Sequence, residues 1–169
     1  AVWDCADGVL WLARDATGTR PLFRARHGAR HAFASEVPPL LGLPWVSREL
    51  STENVAEYLS FRYVHAPRTL HRDVFAVPPG HVIRIDARST YTERWWRPQW
   101  SPPGAPPPKD GGAVRAVDDA LAKSVARRAG PEESVAVMLS GGLDSSAMLW
   151  HLCQSRSSVP TYTVALSDD

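Results

Sequence analysis

Ser140-Gly141-Gly142-Leu143-Asp144-Ser145-Ser146 follows the apolar run Val135-Ala136-Val137-Met138-Leu139 and precedes Ala147-Met148-Leu149-Trp150-His151-Leu152. This order predicts a buried strand over 134–139, a Gly/Ser loop, and an amphipathic helix over 146–155. A loop between strand and helix presents free backbone N–H groups and the positive end of a helix dipole to an anion. Two glycines let the backbone approach a phosphate closely, and three serines add hydroxyl donors. Asp144 has no natural partner among phosphates, which leaves it a magnesium ion to face or the loop to brace. A plain capping turn would not need two glycines, an aspartate and three serines together. The stretch reads as a nucleotide phosphate site.

It is not the kinase-type phosphate loop. That motif needs a lysine and then Ser/Thr after its last glycine, and the chain's only lysines are Lys109 and Lys123. Without the lysine, a grip on pyrophosphate fits better than transfer of a terminal phosphate.

The surroundings of the loop extend the pattern. Val114, Val117, Leu121 and Val125 recur at helical spacing, predicting an amphipathic helix over 113–129. A strand over 161–166 completes one βαβ unit, which implies a parallel sheet with a right-handed crossover. Parallel sheets are covered by helices on both faces, so two strands are the start of such a domain and not the whole of it.

Upstream, Ser101-Pro102-Pro103-Gly104-Ala105-Pro106-Pro107-Pro108-Lys109-Asp110 holds six prolines and glycines. It can form neither a central strand nor a stable helix, and the stretch 98–112 reads as a semi-extended linker. Before it, the pattern is antiparallel. Ala1–Cys5 and Val9–Arg14 flank the hairpin signal Asp7-Gly8, and Leu22–Arg26 and His31–Ser35 pair around Gly28. Pro38-Pro39-Leu40-Leu41-Gly42 suggests a short helical turn. Ser51-Thr52-Glu53-Asn54 opens a helix whose apolar side carries Val55, Tyr58 and Leu59. Pro67 and Pro78-Pro79-Gly80 punctuate a loop-rich stretch, and His81–Asp86 with Tyr91–Trp96 forms a last strand pair.

Composition excludes several classes. The 169 residues are 44% hydrophobic and 22% charged with a formal net charge of +1, which argues against a dedicated nucleic-acid binder. Trp95, Trp96 and Trp100 read as a packing or docking patch, not a base-stacking platform. Cys5 and Cys153 are too few and too far apart for a disulfide framework, so a reducing cytoplasm is the default location. No apolar run reaches the ~20 residues of a membrane span, so no membrane partner is expected. His27, His31, His65, His71, His81 and His151 show no metal-ligand spacing, and His81 reads as part of a turn. The series Glu49, Glu53, Glu57 reads as a solvated helix face, not an acid/base pair.

The chain resembles the glutamine-hydrolysing asparagine synthetases along nearly its whole length. Arg14-Asp15-Ala16-Thr17-Gly18-Thr19-Arg20-Pro21-Leu22-Phe23 is similar to the family's Arg-Asp-x-x-Gly-x-Arg/Lys-Pro-Leu-Tyr/Phe segment, and Phe33-Ala34-Ser35-Glu36 to its Phe-Ala-Ser-Glu. The block from Tyr58 through Thr69 parallels another family segment, with His65 where proline is common. Pro78-Pro79-Gly80-His81 and Arg94-Trp95-Trp96-Arg97-Pro98 also fit. The loop at 140–146 resembles that of the N-type ATP pyrophosphatases generally, and the first 98 residues narrow the group.

The fold implied is α/β and α+β. Residues 1–97 would be the antiparallel C-terminal part of an Ntn-type αββα amidotransferase domain, 98–112 a linker, and 113–169 the first βαβ unit of a parallel-sheet adenine-nucleotide-binding domain. The activity implied has two sites, one hydrolysing glutamine to ammonia and one using Mg2+ and ATP to adenylate aspartate, from which ammonia displaces AMP. By motif position Leu139, Ser140, Gly141, Gly142, Asp144 and Ser145 would line the ATP phosphates, with Asp144 a candidate for the magnesium side. Val164 would meet adenine through its backbone, with plain core as its alternative reading. The partners implied are ATP, aspartate and glutamine or ammonia, and a homodimer is compatible with the resemblance.

The family's glutaminase nucleophile is an N-terminal cysteine whose own amino group serves as base. Cys5 reads instead as a small buried hydrophobe within a hairpin strand, so no glutaminase residue is assigned. The remaining glutaminase and aspartate-binding segments have no counterpart between Ala1 and Asp169. The chain is therefore expected to be the middle of a longer synthetase and inactive alone. The alternatives are a cyclase of the β-lactam synthetase or lasso-peptide type, and a non-catalytic remnant.

Overall fold

The structure is a computed structural model that describes residues 1–100, 111–130 and 133–165. The chain divides into two compact units between Trp100 and Ser101. Ten of the linker positions, 101–110, lie outside the described residues. The described architecture is mixed α/β, with two antiparallel sheets in the first unit.

The first sheet has the order β1 (Val2–Asp4), β2 (Val9–Ala13), β6 (His81–Ile85), β7 (Thr90–Arg94), all antiparallel. The pairs Leu10↔Ile85 and Leu12↔Ile83 put four apolar side chains on one face. With Val77 and Leu22 they form a core in which Leu12, Val77 and Ile83 are almost fully buried. Burial of each such side chain contributes about 1.5–3 kcal/mol.

The β1–β2 turn differs from expectation at one residue. Asp4 Oδ1 accepts hydrogen bonds from the backbone N–H of Ala6 (3.0 Å) and Asp7 (3.3 Å), and Gly8 adopts φ +62°. This Asx-type turn ends the ladder at Asp4↔Val9. Cys5 therefore lies in the turn and is exposed, not buried in a strand.

The second sheet has the order β4 (Arg30–Ala34), β3 (Phe23–His27), β5 (Val74–Ala76). Strand β5 falls in the stretch expected to be loop. It is three residues long, and its position comes from pairing Ala25↔Val74 and from the bond of Ala76 N–H to Pro67 C=O at 2.8 Å. Ala25 and Val74 join Val46 and Leu40, the latter from the short helix α1 (Val37–Leu41), in a second core.

Helix α2 (Thr52–Phe61) starts where the sequence predicts, with Ser51 Oγ accepting from Asn54 N–H at 3.4 Å. Its docking face is different. Tyr58 and Leu59 are exposed, while Asn54 is buried and donates from Nδ2 to Thr69 C=O at 2.6 Å. The expected glutamate ladder also breaks up. Glu49 precedes the helix and pairs with Arg72 at 3.3 Å. The Glu57 carboxylate is only 11% exposed; Arg68 (2.7 Å) and the His65 imidazole contact it, and the His65 backbone N–H donates to it at 3.1 Å. Tyr63 Oη lies 3.1 Å from His65 Nε2, which extends the network. Bonds from His65 and the Arg68 charge hold the Glu57 carboxyl below its ordinary pKa.

The Arg14–Phe23 segment is a structural knot. Asp15 accepts from the N–H groups of Thr19 (2.9 Å) and Arg20 (3.1 Å), which pull its pKa well below the usual carboxylate range. The Arg14 guanidinium donates to the carbonyls of Val77 (2.8 Å), Gly18 (2.9 Å) and Arg20 (3.1 Å). Gly18 has φ +72°, and a Cβ there would come within 2.7 Å of Pro79 Cγ. Gly80 N–H donates to Asp15 C=O at 2.9 Å, so the segment fastens the end of β2 to the Pro78–His81 turn. His81 Nδ1, 2.7 Å from Pro79 C=O, belongs to that turn.

The second unit runs α3 (Gly112–Arg128), β8 (Val137–Met138), α4 (Leu143–Cys153), β9 (Thr161–Tyr162). Strands β8 and β9 are parallel, with Val137↔Thr161 and Met138↔Tyr162. The strands are much shorter than the expected 134–139 and 161–166, and residues 166–169 lie outside the described residues. Helix α3 spans the expected region, yet none of its side chains is buried, and Val114 and Val117 are exposed. It meets α4 through His151 Nε2 and Asp118 Oδ1 at 3.2 Å. Arg156 donates to the carbonyls of Glu133 (2.7 Å) and Gly130 (2.5 Å), joining the end of α4 to the segment after α3. Among the described residues no helix is long and apolar enough to cross a membrane.

Candidate functional site

The site is built on the β8–α4 junction. Leu139 leaves β8 with its N–H donated to Tyr162 C=O at 2.8 Å, and its carbonyl accepts from Thr163 Oγ1. The chain then turns at Gly141, φ +76°, a conformation that strains any residue with a side chain. A Cβ on Gly141 would meet nothing within 4 Å, so open space lies over the turn. Gly142 is the N-cap of α4, and helix geometry begins at Leu143, three residues earlier than expected. Asp144 and Ser145 therefore belong to the first turn of the helix, where unpaired N–H groups and the dipole favour negative charge.

Two of the three serines are engaged within the loop. Ser145 is buried, and its Oγ accepts from Ser140 N–H (3.2 Å), lies 3.0 Å from Ser140 Oγ and reaches Gly142 C=O at 3.3 Å. Ser146 Oγ donates back to Gly142 C=O at 2.8 Å. Ser145 braces the loop. Asp144 does not: it is exposed, and its carboxylate makes no hydrogen bond or ion pair among the described residues. Ser140 Oγ, exposed at the loop, accepts from Gly142 N–H at 3.3 Å.

Beside the loop is a cavity of about 260 Å3 between the C-terminal ends of β8 and β9. Leu139, Ser140, Thr163 and Val164 are among its walls. Val164 is 78% exposed among the described residues. The six loop positions proposed from sequence fall within residues 139–145, and Val164 lines the same cavity as Leu139 and Ser140. Residue types alone offer all three serines as hydroxyl donors and do not mark Ser145 as the brace of the loop. The signal for it, a serine in the first helical turn five residues after another, is too common to decide the matter.

The donor set suits a magnesium-bound polyphosphate. Magnesium typically takes one or two protein carboxylates and fills its octahedron with phosphate oxygens and water. One unpaired carboxylate at an open, N–H-rich turn meets that need. Among the described residues no cluster of three His, Cys, Asp or Glu side chains forms an all-protein metal site.

Two family models match the chain. Residues 1–96, more than half of the chain, match the family model of the glutamine amidotransferase domain, and residues 116–169 match that of asparagine synthase. Asparagine synthetase [glutamine-hydrolyzing] 1 of Bacillus subtilis is 31% identical over 165 residues, covering 96% of this chain and 25% of that protein. Asparagine synthetase [glutamine-hydrolyzing] 3 of the same organism is 27% identical over 156 residues, or 88% and 24%. Carboxyethyl-arginine beta-lactam-synthase of Streptomyces clavuligerus is 40% identical over 98 residues, or 57% and 18%. The chain spans about a quarter or less of the length of each of these relatives.

Proposed function

The chain belongs to the glutamine-hydrolysing asparagine synthetase family, an amidotransferase part followed by the start of the synthetase domain, and from this premise we infer that it serves ATP-dependent amide formation. The observation that carries the reading is the β8–loop–α4 junction, with Gly141 in the left-handed region, its brace at Ser145 and an Asp144 carboxylate that is unpaired among the described residues.

In this reading the loop holds the ATP phosphates. Backbone N–H groups of Gly141, Leu143 and Asp144 would face the anion, and Ser140 Oγ would add a hydroxyl. Leu139 and Ser145 act through shape, one ending the strand and the other locking the loop. Asp144 would hold Mg2+, which supplies neutralisation of the departing pyrophosphate. The cavity bounded by Val164 would take adenine, in keeping with nucleotide binding beyond the carboxyl ends of parallel strands. The acceptor is aspartate, whose carboxylate is adenylated as pyrophosphate leaves; ammonia drawn from glutamine then displaces AMP. A cytoplasmic location accords with this chemistry. No glutaminase residue is assigned within the chain.

A second reading is favoured by the 40% identity to the β-lactam synthase. There the adenylated carboxylate would be attacked by an amine of the same substrate, with no need for glutamine. Assay of the protein with ATP, Mg2+, glutamine and aspartate separates the two. Pyrophosphate and AMP formed in step with asparagine support the first reading. Pyrophosphate release with an amino-bearing carboxylate, and none with aspartate, overturns it for the second.

A further inference from the structure

The first unit carries a basic cluster that amide formation leaves unused. Arg24 and Arg26 occupy alternate positions of β3, and Arg26 is the cross-strand partner of His31 on β4. The three side chains therefore share one face of the sheet, opposite the face that buries Ala25. Beside this face is a cleft of about 360 Å3, with Arg26 and His31 on one side and the β6–β7 turn Asp86–Thr90 on the other.

Asp86 is the one acidic residue of these walls, and its charge is already engaged. It contacts the Arg84 guanidinium and accepts from the N–H groups of Arg88 and Ser89, both at 2.7 Å. Arg26 donates its Nε to Gly28 C=O at 3.3 Å, which leaves its terminal nitrogens available. The Arg88 guanidinium has no hydrogen-bond or ion-pair partner among the described residues. The repulsion shows in the titrating groups. Burial, then Arg26 and Arg24, push His31 below its ordinary pKa, and burial with Arg26 lowers Arg24.

We propose that this cleft binds a small oxyanion of the phosphate class, clasped between Arg26 and Arg88 with His31 as a third donor. Guanidinium groups match the geometry of phosphate oxygens, and charge-assisted bonds of this kind are the strong ones. A carboxylate-poor cleft with two available guanidinium groups has no other complement of its own. An anion seated there would reverse the effect on His31, because negative charge beside an imidazole favours its protonated form.

The test follows the His31 imidazole by NMR on the whole chain, titrating pH in chloride and in inorganic phosphate or AMP at equal ionic strength. The His31 pKa is expected to rise in phosphate. In the double variant Arg26→Gln, Arg88→Gln the anion should bind roughly tenfold or more weakly, with unchanged circular dichroism. A larger rise with AMP than with phosphate assigns the site to a phosphate ester, and the reverse order to the free ion. The same His31 pKa in chloride and in both anions overturns the proposal. An equal anion response in the folded double variant also overturns it, since the anion then sits elsewhere.

Discussion

Ser145 and Asp144 are neighbours with opposite roles, and single substitutions separate them. Ser145→Ala removes the acceptor for Ser140 N–H at the one buried side chain of the loop. Losing that bond costs about 1–3 kcal/mol, so ATP binding should weaken with a lower unfolding temperature of the second unit. Asp144→Asn should lower the unfolding temperature only slightly, because the carboxylate makes no bond among the described residues and loses only a helix-dipole interaction of about 0.3–1 kcal/mol, while magnesium-dependent ATP affinity falls. Titration calorimetry with and without Mg2+, beside thermal melts, checks both. An Asp144→Asn chain that binds Mg·ATP normally would contradict the assignment. The loop conformation at Gly141 and Gly142 and the open position of Asp144 were legible from residue types alone. Ser145 was not, because only its partners distinguish a brace from a ligand.

Elements were legible where their signals are local. The Asp7-Gly8 turn, the Ser51 cap and the parallel arrangement around the loop all rest on residues close in sequence. Strand β5 was not, since three residues between prolines carry no period, and only pairing to β3 makes them a strand. The docking face of α2 was misread for a related reason. Helical spacing marks Tyr58 and Leu59 as apolar, but Asn54 and Glu57 are anchored by groups from residues 65–69. The fastening of β2 to the Pro78–His81 turn makes a prediction at this scale. Gly18→Ala meets both a positive φ and the Pro79 ring, and should destabilise the first unit by about 1–3 kcal/mol. Denaturant unfolding followed by tryptophan fluorescence reads this directly; an unchanged midpoint would contradict the knot.

Across the molecule, the carboxylates of Asp15, Glu57 and Asp86 set an acid limit. Asp86 is held at about 2, against an ordinary 3.8, by the N–H groups of Arg88 and Ser89, and Asp15 and Glu57 are also lowered. A depressed folded pKa gives stability that is fully present above the unfolded pKa and lost as pH falls through the folded one. The first unit should therefore lose stability from about pH 4 downward, to about pH 2 in the case of Asp86. Asp86→Asn should lower stability at neutral pH and flatten that decline; an equally steep decline would contradict it. The division into an antiparallel and a parallel part was legible because hydrophobic period and proline content both change between them. The uncovered faces of α3 and α4, with Val114, Val117 and Trp150 exposed, were not legible, since periodicity shows that a face is apolar and not what covers it.

The loop from Leu139 to Ser145 is proposed as a seat for ATP phosphates. Amide NMR of the isotopically labelled chain, titrated with Mg·ATP, tests it most directly. The account predicts saturable shifts at Gly141, Gly142, Leu143 and Asp144, with Val164 responding to the nucleotide and not to pyrophosphate alone. Saturable binding that leaves those amides unmoved, or no binding in a folded chain, would contradict it.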